Sequence, residues 1–482
     1  MMRIYLFILL GLLVTGSLSA QNEGRVMKKY ENQLPQAGRG NARVAYQGKS
    51  IDQMIYEFME EKGIPGITLA IVQAPYIPRV VGYGVTDIEK GKLATAKTIW
   101  TVGQIAQGFA AVAIMQLYEK GKLDLNDPLS KYFKKLPGEW EEITILQLMQ
   151  HSTGIADYRE QDGFDVSVAY TPEKLLQMVE DIPLAFTRGT DVKQSATNFL
   201  LLALIVEKAG KMPYHDFVKK YQIDYLGLRD TYFGEELDKI KQEDLSKSDN
   251  KHVMFKRDRE YINPTETTVG YRDEDGQLVE TIMQTGSMKG FADIWASAED
   301  ISHWDIALAG AVLIAKSENR DIIYKPTQLA NGKVVPAMAG WQFYNHKGLM
   351  DMKGSIPGHS VFLSRFTDAS EFVCVTLFAN KEGVDLTNLG RKIAAAFDER
   401  LGSGANDNLL YTYESQFSVD ETIGRIEKAL KTLNIPVFAV FDHGKNAEEV
   451  GLELRPNKVI VFGAPKVGTK LMQENPSISI EL

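Results

Sequence analysis

The chain has 482 residues, 44% hydrophobic and 24% charged, a composition that excludes both a disordered chain and a membrane bundle. Its formal net charge of −9 argues against a nucleic-acid partner and against docking on an anionic membrane, since both need a basic face. Residues 1–20, MMRIYLFILLGLLVTGSLSA, set Arg3 before an apolar run from Ile4 to Val14 and end in small residues. This is the pattern of a secretory signal peptide cleaved near Ala20, and the run is shorter than the roughly 20 residues a membrane span needs. An exported protein, periplasmic or secreted, is expected, with no transmembrane segment after cleavage. Residues 21–48 are polar and read as a linker.

Ile51, Met54, Ile55 and Phe58 then recur at helical spacing. ITLAIVQ and RVVGYGVTD read as strands, and residues 104–120 as a long, mostly apolar helix. Residues 143–235 are helix-rich with polar loops, and 236–262 form a charged excursion expected to be exposed. FADIWASAEDISHWDIALAGAVL is helical, with Ser297 and Asp300 at the spacing of a capping box. AGWQFYN, SVFLSRFTD and EFVCVTLFAN read as antiparallel strands, and TNLGRKIAAAFDERLG as a closing helix. Strands at both ends with helices between imply one α/β domain, residues 49–402, whose sheet gathers both ends of the segment. Cys374, the only cysteine, lies in an apolar strand, so no intrachain disulfide forms and a buried, inert thiol is expected.

A seam of Gly, Ser, Asn and Asp at 402–408 precedes a second unit, residues 411–482, read as a small α+β domain. Ser418 and Glu421 repeat the capping-box spacing at the start of its helix. Strand PVFAVFD, helix NAEEVGL, strand KVIVFGA and a short helical TKLMQEN follow. HExxH, a cysteine cluster and a complete phosphate loop are all missing, so no metal or cofactor is expected.

The first domain resembles the serine β-lactamase and penicillin-binding-protein family, in its class-C-like, esterase-like branch. The resemblance rests on ordered segments: IPGITLAIV, VVGYGVTD, TVGQIAQGFAAVAIMQLYEKGKLDLNDPLSKYF, ITILQLMQHSTGIADY, NFLLLALIVEKAG, YLGLRDTYF, GFADIWASAEDISHW, GSIPGHSVFLSRF and TLFAN. It implies a β-lactamase/transpeptidase-like fold, an antiparallel sheet flanked by helices plus a helical region. It also implies three catalytic motifs. The S-x-x-K motif, whose serine attacks a carbonyl while the lysine handles the proton, falls on Gln104 and Gln107. The Y-x-N motif falls on Gln194 and Ala196, and the Lys- or His-x-Gly strand on Met352, with Gly354 kept. A primary amide is a very poor nucleophile and does not titrate in the working range, and a thioether has no N–H to donate.

The resemblance therefore implies an ancestral serine hydrolase whose acyl-transfer side chains are replaced. A binding or assembly module is expected, with a cleft lined by Gln104, Gln107 and Gln194 that suits a peptide or glycopeptide. The alternative is a hydrolase of β-lactamase, esterase or peptidase type with relocated chemistry. It would use Lys353, brought round by a strand bulge, or His359, which either faces the old cleft or sits on a surface turn. His151 reads as a satisfied, buried or semi-buried histidine. SDNK, residues 248–251, matches S-x-x-K literally but lies in a charged run with no apolar helix behind it.

The second unit resembles a small bacterial family of unknown function, on Asp442-His443, the Leu454–Pro456 segment and FGAPKVGTKLM. Asp442 and His443 read as a binding or acid–base pair, or else as a turn with a local hydrogen bond. The unit is expected to stop short of that family's last strands. An unpaired edge there would invite a protein partner.

Overall fold

Strands from both ends of the first unit meet in one sheet. The computed structural model describes residues 45–73, 76–237, 266–329, 331–335, 337–343, 349–366, 373–397, 415 and 417–463. The chain divides into two units, Met1–Leu410 and Tyr411–Leu482. In the first, the main elements in chain order are helix α1 (Ile51–Lys62), strands β1 (Gly66–Gln73) and β2 (Tyr76–Asp87), and helices α2 (Ala106–Glu119), α3 (Ala196–Gly210) and α4 (Ala298–Ala309). Strands β3 (Trp341–Phe343), β4 (Leu349–Ile356), β5 (His359–Phe366) and β6 (Val373–Ala379) follow, and helix α5 (Thr387–Ala395) closes the unit.

The sheet runs Ala337–Met338, β3, β4, β5, β6, β1, β2, Lys92–Leu93, with every neighbour antiparallel. The N-terminal strand β1 thus lies beside the last strand, β6. Both faces are covered, so β1 is buried from Gly66 to Val72 instead of alternating in and out. Ile67, Leu69 and Ile71 face α1 and α5, packing with Ile55, Leu389 and Ile393. Ala70 faces the helical side, where Phe109 of α2 stacks on Trp304 of α4 at 4.3 Å.

Local chemistry sets the element ends. Ser50 caps α1 by accepting from Gln53 N at 3.2 Å, and Gly63, at φ +61°, ends it. The β4–β5 turn needs Gly358, because its φ is +77° and a Cβ there would lie 2.6 Å from Gly270 Cα. Both expected capping boxes form only in half. Ser297 Oγ accepts from Asp300 N, but the Asp300 carboxylate accepts from Asp230 N and Thr231 Oγ1 instead of reaching back. In the second unit, Ser418 Oγ accepts from Glu421 N, and the Glu421 carboxylate pairs with Arg425.

The second unit contains helix α6 (Val419–Thr432), strand β7 (Val437–Asp442), helix α7 (His443–Glu449) and strand β8 (Lys458–Phe462). The two strands pair antiparallel. Helix α7 starts and ends three residues earlier than NAEEVGL suggests, because Asp442 caps it. The charged excursion beyond Leu237, the seam at 402–408, the SDNK segment and TKLMQEN lie outside the described residues.

Two ion pairs are sealed inside the first unit among the described residues, Arg391 with Asp351 and Arg365 with Asp305. Arg365 on β5 contacts Asp305 on α4, their side chains only 2% and 1% exposed. The guanidinium also lies 5.1 Å from the Tyr324 ring and 5.2 Å from Trp341. Removing one partner of such a pair strands a charge. Asp305→Ala is expected to cost about 3–5 kcal/mol in denaturant unfolding, and Asp305→Leu with Arg365→Met to recover most of it.

Candidate functional site at the start of helix α2

Gly103, at φ +51°, leads a short 3-10 turn, Gly103–Ile105, into α2. Its Cβ would lie 3.0 Å from Val361, so the turn sits tightly on β5. Gln104 lies in this turn and is 8% exposed. Its Nε2 donates to the Ser355 carbonyl of β4 at 3.0 Å, while its Oε1 is buried with no partner. The carboxamide occupies the space over Gly354, where a Cβ would lie 2.0 Å from Gln104 Cδ.

Gln107, on the first turn of α2, is fully buried. Its Oε1 lies 3.3 Å from His151 Nε2. His151 Nδ1 accepts from Ser195 N at 3.2 Å and lies 3.1 Å from Asn198 Nδ2. Because Nδ1 accepts a backbone N–H, the ring proton sits on Nε2, which donates to Gln107. Burial pushes the His151 pKa down to about 4. The ring is therefore neutral, in keeping with the satisfied histidine read from HSTG. Gln107 Nε2 is buried without a partner.

Met352 is buried too, its side chain filling the gap beneath α2. A Cβ on Gly108 would lie 2.7 Å from Met352 Cε, and one on Gly340 would lie 3.0 Å from it. Ala196 opens α3, and its N–H donates to Asp157 Oδ2 at 3.0 Å. The Asp157 carboxylate is held below its usual range, burial opposing and the Arg159 pairing outweighing it. Gln194 alone of the five is exposed. The expected open cleft lined by three glutamines is thus not what these side chains form. Gln104 and Gln107 are spent on the protein itself, and Gln194 faces outward.

The relocated candidates lie elsewhere. Lys353 Nζ donates to Thr387 Oγ1 of α5 at 2.9 Å, on the sheet face opposite Met352. Pairing of β4 with β5 runs unbroken from Leu349↔Phe366 to Ile356↔His359, so no bulge turns Lys353 round. His359 is not a surface histidine. It is 4% exposed and lies edge-on to Trp100 and Trp295. Its Nε2 lies 2.8 Å from Thr268 Oγ1, and its Nδ1 lies 3.4 Å from the Pro357 carbonyl. Burial lowers its pKa to about 4. In the second unit, Asp442 caps α7 by accepting from Lys445 N at 2.9 Å and pairs with Lys458. His443 is exposed, and its N–H donates to the Asn457 carbonyl. Both residues are thus engaged in local backbone hydrogen bonds. Cys374 is buried, and burial pushes its thiol well above its usual range. No group of His, Cys, Asp and Glu among the described residues could hold a metal ion.

The β-lactamase family model matches residues 51–396. The chain belongs to the β-lactamase family. Residues 411–482 match a domain of unknown function, DUF302. The β-lactamase-family domain is similar to the putative penicillin-binding protein PbpX of Bacillus subtilis, 27% identical over 336 residues, covering 69% of this chain and 75% of that one. Penicillin-binding protein 4* of the same organism is 23% identical, covering 66% and 68%. Among solved structures, the octameric penicillin-binding protein homologue from Pyrococcus abyssi superposes with a TM-score of 0.59 at 22% identity, over 74% of this chain and 78% of that one. FmtA from Staphylococcus aureus gives 0.57 at 17% identity, over 82% and 99%. At such identities the structural likeness shows the fold alone.

The sequence reading missed the role of the Ser355 carbonyl and of Asn198. Gly354 was the available signal, since a glycine inside a strand marks a close approach of another group.

The buried histidines set a pH dependence. For a base whose folded pKa lies below its unfolded value of about 6.5, stability is full above that value and is lost as pH falls toward the folded pKa. His151 and His359 should together lower the unfolding midpoint between pH 6.5 and 4. Asp300, raised to about 6 by burial, opposes them by gaining stability as it protonates. Thermal unfolding across this window should show a shallower acid slope in His359→Gln than in the parent.

Proposed function

We propose that the β-lactamase-family domain performs no serine acyl transfer and serves as an exported binding or assembly module for a peptide or glycopeptide. The observation that carries this reading is the pair of buried glutamines at the head of α2. One is bonded to the Ser355 carbonyl and the other to His151, where the family resemblance places a nucleophile and its lysine. An activated nucleophile needs a base within hydrogen-bond reach, and neither amide can give or take the proton. Losing one member of such a unit is already crippling. Relocated chemistry draws no support from the candidates named for it, since Lys353 faces α5 and His359 is walled in by two tryptophans.

A fluorescent penicillin should leave no covalent label on the purified protein, and chromogenic β-lactam and ester substrates should turn over no faster than in buffer. Labelling or turnover that disappears on changing residue 104, 107, 353 or 359 would refute the proposal.

Export is supported by the Arg3–Ala20 pattern, and no described helix is long and apolar enough to cross a membrane. N-terminal sequencing of protein from the periplasm or medium should begin at Gln21. Retention of Met1 on a cytoplasmic product would be the contrary result.

A further inference from the structure

A groove of about 780 Å³ lies over helices α1 and α5, on the sheet face opposite the head of α2. Its floor is apolar. Met54 and Leu389 are buried there, and Phe58 and Val384 pack half-buried against the same core. A space of this size takes a short peptide or a molecule of similar bulk. None of the positions that the family resemblance assigns to catalysis lines it.

The charges around this floor are spent within the protein, with one exception among the described residues. Lys49 pairs with Glu57 at 2.6 Å, Lys62 with Glu61 at 2.7 Å, and Lys381 with Asp273 at 3.2 Å. The Asp385 carboxylate accepts from Thr387 N and Oγ1, and that of Glu382 accepts from Gly358 N. Lys392 is the exception. It is exposed on the last turn of α5 and has no hydrogen-bond or ion-pair partner among the described residues. One turn earlier, Asn388 lines the same groove and is likewise exposed, with no hydrogen-bond partner among the described residues. Residues four apart on a helix stand side by side, with about 5–6 Å between their Cβ atoms. Helix α5 therefore sets a carboxamide, which both donates and accepts, next to an unspent ammonium at the rim of an apolar floor. A peptide C-terminus carries the matching set: a carboxylate, a peptide group one residue back, and a side chain between the two.

We propose that the α1–α5 groove binds the free C-terminus of an apolar peptide segment. Lys392 holds the terminal carboxylate, Asn388 holds the last peptide group, and an aliphatic terminal side chain fills the floor between Met54, Phe58 and Leu389. A charged side chain would have to break one of the groove's own ion pairs, so an uncharged one is selected. This site is separate from the head of α2 and does not rest on the loss of acyl transfer.

The test titrates the full chain with acetyl-Ala-Ala-Leu and with the same peptide ending in an amide. Calorimetry gives the affinities. NMR of the methionine ε-methyl groups, with Met54 assigned through Met54→Leu, gives the location. The acid should bind saturably, shift the Met54 signal, and bind about fivefold more tightly than the amide, the scale of one exposed ion pair. Lys392→Gln should bring acid and amide to equal affinity, and Asn388→Ala should weaken both by a similar factor. Both substituted side chains are exposed, so neither variant disturbs the core. Acid and amide of equal affinity in the parent, or a preference that survives Lys392→Gln, overturns the proposal. So does unchanged affinity in Asn388→Ala, an unmoved Met54 signal, or a lack of saturable binding. None of these outcomes bears on penicillin labelling, so this site and the non-catalytic reading fall separately.

Discussion

The head of α2 presses closely on β4, and two glycines make room for the side chains packed between them. A Cβ on Gly354 would lie 2.0 Å from Gln104 Cδ, and one on Gly108 would lie 2.7 Å from Met352 Cε. This contact fixes what residues 104, 107 and 352 can be. They must pack and they must tolerate burial. Polar side chains meet both demands only when their hydrogen bonds are found inside the protein. Gln104 finds one on the Ser355 carbonyl and Gln107 one on His151. Each leaves its other amide atom unsatisfied, so the arrangement stabilises less than its packing suggests.

The same contact explains why the cluster is neutral. His151 is held with its proton on Nε2 by the Ser195 N–H, so residue 107 faces a donor. An ammonium at 107 would meet that donor head-on in a desolvated place and would have to lose its proton. A glutamine offers a carbonyl oxygen there at no charge cost. Beneath α2, Met352 fills the gap with a thioether that packs against Gly108 and Gly340. Asp157 and Arg159, the charges that act on His151, are paired with each other. The chemistry of the site is therefore that of a packed amide cluster.

The scaffold was legible because its signals are local. Helical spacing from Ile51, the strand runs around Ala70 and Cys374, and the serines before α4 and α6 all report on near neighbours. The opposite facing of Lys353 and Met352 followed from the two-residue period of a strand. What could not be read was depth. His359 looks like a turn residue in PGHS, yet Trp100 and Trp295, distant in sequence, bury it. Ser297 and Ser418 cap as expected, but the acids three residues on are claimed by tertiary partners in one helix and by a surface arginine in the other. The three glutamines looked equivalent, and only the approach of α2 to β4 separates the two that are buried from Gln194.

The second unit shows the opposite balance. Among its described residues only Leu430 is a buried hydrophobic, while Phe438, Phe441, Val459 and Phe462 on its two strands are each more than 40% exposed. A two-stranded sheet with apolar groups on both faces is marginal in water unless something packs against it. Its polar network does little to compensate. Lys458 bridges Asp420 and Asp442, joining the start of α6 to the cap of α7, but a surface pair of this kind contributes little. In the first unit, by contrast, both sheet faces are covered by helices of the same chain, and its polar groups can be buried because the apolar packing is already complete. The neutral cluster at the head of α2 is sustained by that surplus, which nothing in the described part of the second unit could provide.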